Sequence, residues 1–180
     1  KFFTCNGNGT ISYSSNGTTW TTITASSTST YCIEYSPDLG MYVLGGQYIS
    51  YSYDLVNWYS AEIPNVNIVK IKWIPTSKKF IGINQAANNR SLIHSADGRT
   101  WDVLPTSAVA LAGISEIEWI PSTNTIVAFG SPNGSGRDSR SGFYSKDGGT
   151  TFKPFFFNYA IPSNIKWIPA LGIMIAISSM

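Results

Sequence analysis

The sequence predicts an all-β chain, a β-propeller of four-stranded antiparallel blades, and three observations carry that prediction. Charged residues make up only 12% of the chain and aromatics 14%, with Ser, Thr, Asn and Gly plentiful, a composition suited to strands joined by tight turns. Helix-favouring runs of Ala, Glu, Lys and Leu are nearly absent. Two short motifs recur in fixed alternation, with serine-to-serine spacings of 38, 43 and 50 residues in the first, a period that suits a four-stranded repeat unit. A β-sandwich satisfies the composition but leaves the alternation of motifs unexplained.

The first motif appears as Tyr13-Ser14-Ser15-Asn16-Gly17-Thr18-Thr19-Trp20, Tyr51-Ser52-Tyr53-Asp54-Leu55-Val56-Asn57-Trp58, His94-Ser95-Ala96-Asp97-Gly98-Arg99-Thr100-Trp101 and Tyr144-Ser145-Lys146-Asp147-Gly148-Gly149-Thr150-Thr151-Phe152. A ring precedes Ser, Asp or Asn follows two residues later, and a large aromatic closes the unit. The second motif is Ile33-Glu34-Tyr35-Ser36-Pro37, Ile71-Lys72-Trp73-Ile74-Pro75, Ile117-Glu118-Trp119-Ile120-Pro121 and Ile165-Lys166-Trp167-Ile168-Pro169, each followed by an apolar run. Each unit reads as an Ile-x-Trp-x-Pro strand, a turn, an apolar strand, a polar loop, and a hairpin spanning the Ser-x-Asp motif. The units fall at a partial blade 1–25, blades 31–63, 69–105 and 115–158, and a partial blade 163–180.

Lys1-Phe2-Phe3-Thr4-Cys5 reads as the second strand of a blade, while the last two strands supply another first and second strand. The chain is therefore expected to be a segment of a larger propeller, processed or cut from a longer polypeptide. An open end would expose apolar faces and sheet edges that invite oligomerisation.

The octets resemble the Asp-box (BNR-type) family, whose pattern is Ser-x-Asp-x-Gly-x-Thr-Trp; Ser145 to Phe152 fits it, and the other three copies are one residue shorter. The resemblance covers essentially the whole chain. It implies a propeller, and its members include enzymes, receptors and structural parts. The motif has a physical rationale of its own: an Asp or Asn side chain accepts backbone N–H groups left unpaired in a tight turn. Gly17, Gly98 and Gly148 or Gly149 supply positive φ, and the closing ring buries about 2–3 kcal/mol of apolar surface. The structural set is thus Ser14, Asn16, Trp20, Ser52, Asp54, Trp58, Ser95, Asp97, Trp101, Ser145, Asp147 and Phe152.

On this reading His94, Ser95 and Asp97 are scaffold, although their residue types are those of nucleophilic catalysis. His94 holds the position of Tyr13, Tyr51 and Tyr144, and it is the only histidine, which leaves no zinc cluster. The sialidase-like alternative needs three arginines converging on a carboxylate, with a Tyr and Glu pair and an acidic donor. Arg90, Arg99, Arg137 and Arg140 do not supply three from separate blades, so no catalytic residue and no cofactor is expected.

Glu34, Lys72, Glu118 and Lys166 occupy one position of the first strand in four successive units with alternating sign, which predicts contacts between neighbouring blades around a channel, each exposed pair contributing at most about 1 kcal/mol. Cys5 and Cys32 lie outside metal-ligand spacing and read as buried free thiols, a single disulfide being the alternative. The three consecutive phenylalanines Phe155, Phe156 and Phe157 either fill the gap to a following blade, the favoured reading, or dock a partner.

Recognition is expected on the loops at the end opposite the Ser-x-Asp turns. Those loops grow along the chain to Asn84–Arg90 and Ser131–Arg140, making Asn88, Asn89, Arg90, Asn133, Arg137, Asp138 and Arg140 the ligand-binding candidates. A net charge of +2 with scattered lysines and arginines argues against nucleic acid. The longest apolar run, Ile173–Ile177, is far shorter than the roughly 20 residues needed to cross a bilayer.

The low charge and compact "SxDGxTW" hairpins look most like propellers of phage tails and tail fibres. That likeness implies a virion tail or extracellular location and a binding or structural role. Partners would be virion or cell-surface proteins or a glycan receptor. The alternatives are a fragment of a sialidase-like glycan-processing enzyme, a secreted glycan-binding adhesin, or an assembly factor resembling those that help build photosystem II.

Overall fold

The computed structural model describes residues 1–63, 66–86, 89–104, 114–130, 141–156 and 162–177. Among the sequence candidates, Asn88, Asn133, Arg137, Asp138, Arg140 and Phe157 lie outside the described residues, as do the side chains of Asn89, Arg90 and Phe156.

The chain forms five antiparallel sheets in sequence order, the blades of a β-propeller segment. Blade one contains β1 (Phe2–Cys5), β2 (Thr10–Ser14) and β3 (Thr21–Thr24). Blade two contains β4 (Thr30–Ser36), β5 (Met41–Gly46), β6 (Ile49–Ser52) and β7 (Tyr59–Ser60), and blade three β8 (Ile68–Ile74), β9 (Lys79–Ala86), β10 (Asn89–Ser95) and β11 (Asp102–Val103). Blade four contains β12 (Ile114–Ile120), β13 (Thr125–Gly130), β14 (Ser141–Ser145) and β15 (Lys153–Phe156), and blade five β16 (Asn164–Ile168) and β17 (Ile173–Ile177). Among the described residues the one helical segment is the 3-10 turn Pro121–Thr123, and no helix is long and apolar enough to cross a membrane.

Register makes the blades superimposable in sequence. Phe2 pairs with Ser14, Tyr42 with Ser52, Phe80 with Ser95 and Ile126 with Ser145, so β1 corresponds to the second strand of the later blades, as its sequence indicated. The four Pro-led turns between first and second strands each end on one left-handed residue, Gly40, Lys78, Asn124 and Gly172, with φ of 60°, 50°, 48° and 63°. Because side chains alternate across a strand, each blade turns one apolar set toward the blade before it and the other toward the blade after.

These sets form four successive interblade layers. Ile11 packs with Leu44 and Leu55 between blades one and two, and Met41 and Val43 with Trp73, Phe80 and Trp101 between two and three. Ile81 and Ile83 meet Ile117, Ile126 and Phe143 between three and four; Val127 and Phe129 meet Ile165 between four and five. Phe155 belongs to this last layer, packing against Phe129 with ring centroids 5.4 Å apart, which is the gap-filling role expected for it.

The segment 84–90, read from sequence as a loop, is a correction: Asn84–Ala86 end β9, Asn89 and Arg90 open β10, and Asn89 pairs with Ala86. The antiparallel ladder extends to the Ala86–Asn89 pair because each added pair satisfies backbone groups that a loop would leave to solvent.

Candidate functional site

Two constellations carry the chemistry-bearing residues, the Ser-x-Asp turns at one end of the blades and the cleft where the inner strands converge. In the turns, the side chain two residues after Ser accepts two consecutive backbone N–H groups. Asn16 Oδ1 takes those of Thr18 and Thr19, both at 2.9 Å; Asp54 Oδ1 those of Val56 and Asn57, both at 2.8 Å. Asp97 Oδ1 accepts from Arg99 and Thr100 at 2.8 and 2.9 Å, and Asp147 Oδ1 from Thr150 and Thr151 at 3.0 and 2.9 Å.

The serine does as much, a role the sequence reading missed although Ser stands in all four copies. Its hydroxyl donates to the Asp or Asn carbonyl or carboxylate oxygen and accepts a backbone N–H, from Gly17 at 2.8 Å, Leu55 at 2.9 Å, Gly98 at 2.7 Å and Gly149 at 2.9 Å. The closing indoles of Trp20, Trp58 and Trp101 donate to the carbonyls of Gly17, Leu55 and Gly98. Gly17, Gly98, Gly148 and Gly149 have positive φ. Leu55 adopts φ 67° in the second copy, and its side chain is buried between blades one and two.

With their oxygens engaged in this way, the turn carboxylates are poorly placed as bases. Burial works to raise the pKa of Asp147, but bonds from the Thr151 hydroxyl and backbone, from Ser145 and from Thr150 outweigh it and bring it down to about 2. The same balance lowers Asp97. In Asp54 the backbone and side chain of Asn57 lead the lowering. His94 is half-buried in β10, where burial and then the Lys79 charge hold its pKa down. Ser95 Oγ bonds Asp97 and backbone, so no Ser–His pair exists in "HSADGRTW".

The closing rings differ. Trp101 is 6% exposed and Trp20 44%, with Trp58 and Phe152 in between. The expected burial of Trp20 is therefore corrected. Each Ser-x-Asp turn packs on the preceding blade, as Gly98 does on Met41 and Val43 and Gly149 on Ile81, and blade one has no preceding blade among the described residues. Arg99, in the third turn, lies with its guanidinium 5.6 Å from the Tyr51 ring centroid and 5.8 Å from that of Tyr53, bonding the Tyr53 hydroxyl. It clips blade three to blade two.

At the centre, residues of β1, β4, β8, β12 and β16 line a cleft of about 440 Å3. Lys72 Nζ lies 2.7 Å from Glu118 and Lys166 Nζ 3.9 Å from the other Glu118 oxygen. These are two of the contacts that the alternation of sign predicts. A second pair, Lys70 with Glu116 at 2.9 Å, lies two residues earlier on the same strands; the 2-residue period was the signal that marked it. Glu34 departs from the pattern. It has no cation within ion-pair distance among the described residues, and burial raises its pKa against the opposing influence of the Lys72 charge and the Trp73 backbone.

Cys5 and Cys32 are free thiols at the rim of this cleft. Burial raises both, Cys5 to about 11, which leaves them protonated and unreactive at neutral pH. Among the described residues no group of three or more His, Cys, Asp or Glu is placed to hold a metal.

With this geometry in view, comparison with known proteins shows likeness of fold. The chain is similar to the crystal structure of the GH74 enzyme of Niastella koreensis, with TM-score 0.57 and 21% identity, over 81% of this chain and 21% of that one. It thus spans about a fifth of that enzyme's length. No family model matches, and no curated protein matches.

Proposed function

We propose that the chain is a non-catalytic binding module of β-propeller type, a component of a virion tail or an extracellular attachment protein that displays recognition loops opposite its Ser-x-Asp turns. The observation that carries this reading is the commitment of the acidic groups. The turn carboxylates hold backbone N–H groups, and Glu116 and Glu118 are held by lysines, which supports a scaffold role for these groups over the free acid and base pair of glycoside hydrolysis. Low charge and Ser, Thr and Asn richness add the likeness to tail and adhesin propellers. Its partners would be virion or cell-surface proteins or a glycan.

A second reading, a fragment of a glycan-processing enzyme, is favoured by Glu34, a burial-raised carboxyl facing the central cleft, and by a fold shared with a GH74 enzyme. One pair of experiments separates them. The chain is applied to a glycan array and, in parallel, incubated with sialidase substrates. Binding without turnover is the expected result; turnover abolished by Glu34→Gln, or by substitution of Arg90 or Arg137, would reject the non-catalytic reading.

A further inference from the structure

The repeat serves as an internal control, because what the turn needs for folding stands in all four copies. At the junction of blades two and three, three side chains depart from it. Tyr53 stands where the other turns carry Ser15, Ala96 and Lys146. Tyr59, directly after the closing ring, stands where they carry Thr21, Asp102 and Lys153, and Arg99 where the copies of equal length carry Thr18 and Val56. Pairing confirms the equivalence: Tyr59 faces Tyr51 across β6 and β7 as Thr21 faces Tyr13, Asp102 faces His94 and Lys153 faces Tyr144. The turn folds elsewhere without these three residues.

They nevertheless converge. Tyr59 stacks on Tyr51 with ring centroids 5.5 Å apart, and Tyr53 meets Tyr51 edge-on at 6.1 Å. The Arg99 guanidinium lies over Tyr51 and Tyr53 and bonds the Tyr53 hydroxyl. Tyr53 is 45% exposed and Tyr59 52%, although blades one and four stack on the far sides of this pair of blades; both rings thus lie on the outside of a fully formed junction. Among the described residues no carboxylate lies within ion-pair distance of Arg99. Asp97, in the same turn, keeps its oxygens for the Arg99 and Thr100 backbone and the Thr100 hydroxyl. Glu62 donates its backbone N–H to the Arg99 carbonyl at 2.8 Å and is itself exposed.

Size and charge say what fits. Two half-exposed rings and one guanidinium offer roughly a few hundred Å2, short of the about 800 Å2 that each partner of a stable protein interface buries and enough for one or two sugar rings. A tyrosine face packs against the carbon–hydrogen face of a pyranose, and its hydroxyl is free to bond a sugar hydroxyl. A guanidinium already fixed by two rings and a hydroxyl presents its remaining N–H groups as a fork for a carboxylate or sulfate, with little entropy left to lose. We propose that Tyr53, Tyr59 and Arg99 form a binding site for an anionic sugar, its ring on the tyrosines and its carboxylate or sulfate on Arg99. The inference rests on the binding-module reading for its ligand class, a glycan, but sets the site at the Ser-x-Asp end of the blades rather than on the opposite loops.

Isothermal titration with three tetrasaccharides tests it: tetragalacturonate, a sulfated carrageenan tetrasaccharide and its neutral agarose counterpart. An anionic probe is expected to bind about tenfold tighter than the neutral one, and the tighter of the two anionic probes names the charged group. The variants take residues from the sibling turns. Arg99→Thr should weaken the anionic probe about tenfold and leave the neutral one nearly unchanged, while Tyr59→Thr and Tyr53→Ala should weaken both. Where a variant fails to fold, saturation-transfer NMR on the unsubstituted chain decides instead, by magnetisation passing from tyrosine ring protons to the sugar ring. Anionic binding that survives all three substitutions, or that draws no magnetisation from tyrosine, overturns the site and leaves the binding-module reading in place on the opposite loops. Equal affinity for anionic and neutral probes, or no binding of any probe, also overturns the proposal; the module reading falls only when the glycan array is blank as well.

Discussion

Single residues in the Ser-x-Asp turns do one job each, and substitutions separate them. Asp97→Ala removes the acceptor of the Arg99 and Thr100 N–H groups and should cost about 1 kcal/mol, whereas Asp97→Asn, which reproduces the group that Asn16 supplies, should cost clearly less; urea-unfolding midpoints measure both. The same turns set a pH dependence. Asp147 sits at about 2 in the folded chain against an unperturbed 3.8, so its contribution is present above the unfolded pKa and is lost as pH falls through the folded one. Stability is expected to decline from about pH 4 toward pH 2, less steeply in Asp147→Asn, as followed by thermal melts at stepped pH. Gly149 needs its positive φ of 87° and lies where a Cβ would strike Ile81. Gly17 has φ 79° but only the Phe2 ring within reach, at 3.9 Å. Gly17→Ala should therefore cost about 1 kcal/mol, the backbone term alone, and Gly149→Ala distinctly more.

At the scale of elements, equal sequence positions have unequal worth. Trp101 and Trp20 close the same octet, yet the first lies among Met41, Val43 and Phe80 while the second faces outward. Trp101→Ala should cost about 3–5 kcal/mol, and Trp20→Ala less than about 1 kcal/mol, a contrast that denaturant titration resolves. The strands themselves were legible because their signals are local. Alternation of apolar and polar residues, Pro after the first strand, and glycine in the turns each act within a few residues. The extent of the 84–90 hairpin was not, since Asn84, Gln85 and Arg90 are poor strand formers that pair because the register set by Ile81, Ile83, Leu92 and Ile93 carries the ladder past them.

At the scale of the molecule, the blades are held by stacked apolar layers and, near the axis, by a run of alternating charge. Glu118 is 6% exposed, and Lys72→Met leaves it with Lys166 at 3.9 Å as its remaining cation. A loss of about 2 kcal/mol is expected, largely restored when Glu118→Leu is added, because an uncompensated buried charge costs more than the pair contributes; calorimetric melting of the three variants decides it. The sequence by itself determined the all-β class, the blade order, the second-strand identity of Lys1–Cys5 and the line of Glu34, Lys72, Glu118 and Lys166, all of which follow from patterns of period two inside a repeat. It also set "HSADGRTW" beside its three siblings as one copy of a repeated turn. Tertiary structure alone decided which closing ring is buried and which of the four charges has an ion-pair partner. Those outcomes depend on whether a neighbouring blade stands against a residue, and no local pattern records what lies on the far side of a sheet.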